Sequence, residues 1–464
     1  MQISSTLTLK TTQRSRIYQY LAAFTGTLGI VSSEMHYGWP SPSLPILKNG
    51  TYVIQIGETE SSWLAIMPLI GAILGAVMTG LVIDILGRKR LILFSGVPFF
   101  VSWIVIGFAE TSVLLHVARF LAGMTDGLSF TAVPMFLGEI AEPEIRGLLC
   151  SICPVLIVVG LLLINTIGSY LDISTTAFVA CSIPAILLIT FIWIPESPYF
   201  LLMRGRYDEA RKSLQRFRGT TDVEKELERL STAVQEQNNN SGKFLDLFTS
   251  PSNRKAIFIA LGLRSVQQLT GITAITIYCQ RIFIASNSFL SSAVATIIYF
   301  TVQLVLSAVA SFMVDISGRR PLLIISLTGT GITLLINGTY LFIKNCTDID
   351  TSDFDFVLLV TLLAFIIIFS LGLQTIPLLI MSEMFPTNVK AFALCIADVY
   401  FSVIASVISQ YFHGTSSAFG MHVPFYSFAV CCVFGLVFIV FCVPETKGKT
   451  LEDIQRYLKG EIKL

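Results

Sequence analysis

Twelve long apolar runs separated by short polar breaks organise this chain. Crossing a bilayer takes roughly 20 apolar residues. Runs of that length start near Ile17, Trp63, Leu91, Val113, Leu148 and Thr176, then near Ala256, Ser291, Leu322, Phe356, Ala391 and Val423. One long polar stretch, Pro195 to Lys255, divides them six and six. The pattern predicts an all-α membrane protein of twelve transmembrane helices in two six-helix bundles. Residues 1–194 make the first bundle, 195–255 a linker with short helices, 256–443 the second bundle and 444–464 a tail. In the linker, Tyr207–Arg218 and Asp222–Gln237 are charged, leucine-bearing helical stretches, with Glu224, Glu228 and Lys225, Arg229 at i,i+4 spacing. They are expected either to brace the two halves or to lie as solvated surface helices.

Composition agrees. Hydrophobic residues make up 53% of the chain and charged residues 13%, against about 25% charged in a soluble domain. Mean hydropathy is +0.74. The bilayer is therefore the expected partner, and a net charge of +1 argues against nucleic acid. The polar stretch Met1 to Arg16 lacks the apolar core of a cleavable signal. Of nine cysteines, only Cys346 falls clearly in a loop, so packing thiols are expected rather than disulfides. There is no His-Glu-x-x-His, no paired membrane aspartates and no nucleophile elbow, so neither an enzyme nor a cofactor is expected.

Charge sets the orientation. With the N-terminus inside, 26 of the 31 Lys and Arg are cytoplasmic and three, Lys48, Arg281 and Lys344, are external. Without the long linker the count is still 15 against 3, so both termini are predicted to be cytoplasmic. The sequons at Asn49 and Asn345 fall in external loops and are candidate glycosylation sites. Those at Asn239 and Asn337 fall in the linker and within a span.

The chain also repeats itself. Asp84-Ile85-Leu86-Gly87-Arg88-Lys89 recurs 231 positions later as Asp315-Ile316-Ser317-Gly318-Arg319-Arg320. Glu139, seven residues before Arg146, recurs as Glu383, seven before Lys390. Pro195-Glu196-Ser197-Pro198 is matched by Pro444-Glu445-Thr446-Lys447-Gly448. Three ordered pairs at matching boundaries imply two homologous halves, a build that points to a transporter with its site between them. Gly87 and Gly318 allow the tight turn. Glu139 and Glu383 sit where a carboxylate can accept from Arg88 or Arg319, contacts suited to a switch.

These residues carry a family resemblance. The two D-x-x-G-R-[RK] turns, P-E-S-P and P-E-T-K-G resemble those of the sugar porters of the major facilitator superfamily, over nearly the whole chain. Ser62-Trp63, Met67-Pro68-Leu69 and Ser41-Pro42-Ser43-Leu44-Pro45 are similar to the insect facilitated trehalose transporter branch. The resemblance implies a plasma-membrane carrier of trehalose or a hexose, working as a functional monomer. Asp84, Arg88, Glu139, Arg146, Asp315, Arg319, Glu383 and Lys390 would form its cytoplasmic gate.

A sugar exchanges water hydrogen bonds for protein ones, and amides suit this because they donate and accept without charge. Gln267-Gln268-Leu269-Thr270-Gly271 in span seven matches the family segment that supplies sugar-binding amides. Gln303 in span eight occupies a family binding position, and Asn165 in span five joins the candidates. Interhelical hydrogen bonding is the other role open to these amides. Thr273 lies about 120° from Gln267 on a straight helix, so both face one cavity only if span seven unwinds, most easily at Gly271. Tyr278 either stacks on a sugar face or packs. Pro154, Leu378 and Tyr400-Phe401 depart from the family pattern and leave the second half of the site less polar.

Charges inside spans matter most, because each needs a partner or water. Arg264 and Asp398 are expected to pair. Glu34 and His36, near the outer end of span one, raise proton coupling; a polar group at the outer mouth is the alternative. A facilitative sugar carrier comes first, a proton-coupled sugar symporter second, and a sugar sensor third, the tail being short for signalling.

Overall fold

The computed structural model describes residues 16–50, 52–239, 244–286, 290–350, 354–447, 449, 451–459 and 461. Among these residues, ten helices are long and apolar enough to cross a membrane. The two further spans are the first and seventh, each broken into shorter helices. Span one runs through 16–26, Leu28–Gly38 and Pro40–Lys48. Span seven runs through Pro251–Leu269, Ile272–Ile277 and Cys279–Ser286.

Spans two to six are Glu58–Leu86, Arg88–Gly107, Ser112–Ile140, Arg146–Tyr170 and the pair Ile173–Ala180 and Ser182–Phe191. Span eight is Ser292–Ser317 and span nine is Arg319–Cys346. Span ten is split into Val357–Leu371 and Ile376–Met384, span eleven is Thr387–Ala418 and span twelve His422–Cys442. With six spans per half, both termini and the linker share one side, called here the linker side; the other is the far side.

Spans two and four pack backbone to backbone. A Cβ added at Gly71 or Gly75 would lie 2.3 or 2.1 Å from the carbonyl oxygens of Phe120 and Met124, and one at Gly123 would lie 2.0 Å from that of Pro68. Small residues four apart permit this approach where lipid leaves no hydrophobic drive between helices. The repeated turns are made by Gly87 at φ +94 and Gly318 at φ +90, a conformation that L side chains rarely adopt.

The linker helices are Pro198–Met203, Tyr207–Arg218, Glu224–Asn239 and Asp246–Thr249. The second docks on the first half: Gln19 donates to the Phe217 carbonyl at 3.1 Å, and Arg218 donates to that of Ile140 at 2.8 Å. Its ion pairs, Arg211 to Glu224 and Arg218 to Glu226, join it to the next linker helix. A tail helix spans Leu451–Lys459. All nine cysteines are free thiols.

Candidate functional site

Two helix breaks face each other in the second half, and one amide joins them. Pro377 opens the second segment of span ten and has no N–H to give the carbonyl of Leu373, four residues back. Gln267 supplies that donor: its Nε2 lies 2.8 Å from the Leu373 oxygen and 3.3 Å from that of Gln374. Span seven breaks at Gly271, at φ +79, where an added Cβ would meet the Phe428 ring at 2.2 Å. The break brings Thr273 back toward the preceding segment, where its hydroxyl donates to Gln268 Oε1 at 2.6 Å. Unwinding at Gly271 is thus present as expected, though Thr273 meets Gln268 rather than Gln267.

Arg264 completes this cluster. One arm donates to Gln267 Oε1 at 3.1 Å and the other to Asp398 Oδ1 of span eleven at 3.1 Å. The Phe401 ring lies 5.0 Å from its guanidinium carbon. Beside it, Ser265 and Tyr400 share a hydrogen bond of 2.7 Å. The intramembrane pair read from sequence is therefore formed, and it orients the Gln267 amide: oxygen toward Arg264, nitrogen toward span ten.

The other candidates are more scattered. Gln303 is buried in span eight, with no protein partner for its Oε1. Asn165 is buried in span five and donates to the Leu161 carbonyl at 2.9 Å. Tyr278 is buried and stacks on Phe412 at 5.5 Å. It lines a far-side cavity of about 170 Å³ with Ser41, Lys48 and Arg281, away from the Gln267 cluster.

Glu34 and His36 require a correction. Span one continues to Lys48, so they lie in mid-span and not at its outer mouth. His36 is buried against Trp103, ring centroids 3.8 Å apart, and its carbonyl accepts from Arg119 at 2.9 Å. An apolar run does not show how far a broken span continues: here a further helix, Pro40–Lys48, follows the break at Trp39.

Asp126 was missed, although the rule that singled out Asp398 also applies to a carboxylate within span four. Asp126 accepts from Ser33 and from Tyr37, the latter at 3.1 Å. Its charge and that of Asp398 are close enough to act on each other.

On the linker side, Arg88 is buried and bonds Asp84 and Glu139, each at 3.0 Å. Glu139 also accepts from Ser197, and Glu196 accepts from the Lys89 N–H at 2.9 Å. The second half repeats this: Arg319 bonds Glu383 at 3.1 Å, and the Arg319 and Arg320 N–H groups each donate to Glu445 at 3.0 Å. Burial opposes the Glu445 charge, but the N–H donors of Lys447, Arg319 and Arg320 outweigh it and hold its carboxyl below the usual range. The Asp315 side chain lies outside the described residues. Arg146 reaches the Ala141 carbonyl at 3.4 Å, and Lys390 lies within electrostatic reach of Glu383. Each of the Arg88 and Arg319 networks joins helices of its own half.

Polar contacts between the halves gather on the far side. Gln280 donates twice across the halves: its Nε2 to Ser169 at 2.6 Å and its N–H to Ser41 at 3.2 Å. Glu58 of span two meets His413 of span eleven at 3.4 Å.

A profile of the family described as sugar (and other) transporter matches residues 18–458. Facilitated trehalose transporters Tret1 of Anopheles gambiae and Culex quinquefasciatus are each 35% identical over 450 residues, 96% of this chain. That of Polypedilum vanderplanki is 35% identical over 98% of it. The chain spans 56% of the Anopheles protein's length, 86% of the Culex protein's and 90% of the Polypedilum protein's. Among solved structures, the proton:xylose symporter XylE matches with TM-score 0.76 at 23% identity, over 95% of this chain and 99% of that one. An inward-open form of the Escherichia coli xylose transporter matches with TM-score 0.77 at 22% identity, over the same shares. These likenesses establish the major facilitator fold. On the profile and on relatives matched over 96–98% of its own length, the chain belongs to the sugar (and other) transporter family.

Proposed function

We propose that this protein carries a sugar, trehalose or a hexose, across the plasma membrane by alternating access and without a coupling ion. The observation that carries the reading is the Gln267 amide bridging two broken spans at the interior of the fold. Broken helices at mid-membrane are where carriers of this build bind substrate, because freed backbone groups there need partners. Gln267, Gln268, Thr273 and Gln303 are the proposed sugar ligands. Asn165 and Tyr278 are proposed to meet the sugar on its way to the far side. Relatives named facilitated trehalose transporters support both the substrate class and uniport.

In this reading 1–194 and 256–443 are the moving bodies, 195–255 joins them and 444–464 caps the second. The Lys and Arg excess puts the linker side, with both termini, in the cytoplasm. Asn49 and Asn345 are exposed at the other side, as glycan acceptors need. The networks around Asp84, Gly87, Arg88 and Glu139, and around Gly318, Arg319 and Glu383, act on the gate by keeping each half rigid, while Arg146, Asp315 and Lys390 line the rim. The protein acts as a monomer and performs transport rather than catalysis.

A second reading, proton-coupled symport, is favoured by Asp126, which is held by two neutral hydroxyls beside Glu34. Uptake of trehalose, glucose and fructose into proteoliposomes tests both. Facilitated transport shows equilibration of one of these sugars, slowed at least tenfold by Gln267→Ala and indifferent to an imposed pH gradient. Accumulation driven by that gradient, and lost in Glu34→Gln or Asp126→Asn, selects the symporter. Absence of uptake for every sugar rejects both.

A further inference from the structure

Asp398 lies 11 residues into the 32-residue span eleven, yet 40% of its side chain is exposed. A carboxylate facing lipid at that depth is costly, so such exposure marks a wet cavity. The neighbours locate that cavity. Asp398 is bonded to Arg264 of span seven, and three residues before it the Cys395 thiol donates to the Ala76 carbonyl of span two, in the opposite half, at 3.5 Å. It therefore opens into the gap between the halves, beside the Gln267 cluster.

The electrostatics of that gap are lopsided. Arg264 is the one cation bonded there among the described residues, and its charge is spent on Asp398. Arg119, the other intramembrane arginine, is taken by the carbonyls of Leu64, His36 and Ala65. Asp126 is held by hydroxyls, with Glu34 near enough for their charges to act on each other. Arg264 engages only Oδ1 of Asp398, and no described group donates to Oδ2. A carboxylate with free lone pairs, its only bonded cation shared with Gln267, favours a ligand rich in hydrogen-bond donors and repels an anion.

We infer that Asp398, positioned by Arg264, is the specificity-determining residue of the sugar site: it accepts hydroxyl or ammonium donors from the substrate and excludes anionic sugars. This rests on the proposed sugar transport and deepens it. Neutral sugars and amino sugars are carried, while uronates and sugar phosphates are refused. Arg264 is a positioning residue, since it reaches the substrate through Asp398 and Gln267.

The test uses the full chain in proteoliposomes preloaded with glucose, with counterflow of labelled glucose challenged by glucose, glucosamine or glucuronate. Ligand-dependent thermal shift of the purified protein is read in parallel. Wild type is expected to discriminate against glucuronate by at least about tenfold relative to glucose and to bind glucosamine at least as well as glucose. In Asp398→Asn the three sugars should converge to within about threefold. If that variant fails to fold, Arg264→Gln/Asp398→Asn removes both charges together, which a buried pair tolerates better than losing one, and should show the same convergence. Equal treatment of the three sugars by wild type, or discrimination unchanged in both variants, overturns the inference. Absence of counterflow with glucose, trehalose and fructose alike as the preloaded sugar would instead reject the transport reading, and the thermal shifts would still report whether the site refuses glucuronate.

Discussion

Glu58 in the first turn of span two lies 3.4 Å from His413 near the far end of span eleven, so one contact ties the two halves together. Lys48 holds Glu58 from the same half, and Arg281 approaches the other ring nitrogen of His413 at 3.0 Å. Gln280 adds bonds to Ser41 and Ser169. Removing these contacts should let the far side open. Glu58→Gln combined with Gln280→Ala is expected to speed modification of Ser41→Cys by a membrane-impermeant thiol reagent several-fold, in a Cys346→Ser background. Ser41 is 1% exposed in the closed arrangement, so an unchanged rate would show that these bonds do not hold it shut.

Arg88 is buried, with Asp84 on one side and Glu139 on the other. Breaking a buried pair by removing one partner strands a charge, at a cost of about 3 kcal/mol. Glu139→Ala should lower the thermal midpoint in detergent clearly, whereas Arg88→Met/Glu139→Leu should cost less than the two single changes summed. Additive losses would argue against direct coupling.

Gly271 combines a positive φ with contact against Phe428. Gly271→Ala strains the backbone and collides with that ring, and Phe428→Ala relieves only the collision. Stability should fall by about 1–3 kcal/mol in Gly271→Ala and recover only in part in the double variant. Complete recovery in a thermal-melt series would mean that crowding alone, and not backbone conformation, requires glycine.

Glu445 predicts a pH dependence. Its carboxyl is held below the usual range by the three N–H donors despite burial. A carboxyl depressed in the folded state stabilises it above the unfolded value, here 4.5, and loses that contribution as pH falls through the lower folded value. Glu445→Gln should therefore melt earlier than wild type at neutral pH, with the gap closing below about pH 4. A gap independent of pH would place the effect in packing.

Much of this architecture was legible because the bilayer imposes it. Apolar runs of spanning length must become helices that satisfy their own backbone, and the repeated turns mark where such helices end. The site was legible in kind: amides and charges inside spans need partners, so Gln267, Arg264 and Asp398 stood out. Glu34 and His36 were placed too far out because an apolar run does not show how far a broken span continues past its break. Asp126 carried the same signal as Asp398, a carboxylate within a span, but its partners are the neutral hydroxyls of Ser33 and Tyr37 and no counter-charge pointed to it.

The sequence by itself determined the twelve spans, the twofold build, the break at Gly271 and the need for Arg264 to find a counter-charge. Hydrophobic periodicity, backbone sterics and the cost of a bare charge in lipid are local and leave their mark on single residues. Tertiary structure alone decided that Arg88 meets Glu139, that Arg319 meets Glu383, and that Gln267 serves the carbonyl freed by Pro377. Those outcomes depend on which helices lie side by side, a relation among residues 51, 64 and 106 positions apart that no local pattern encodes.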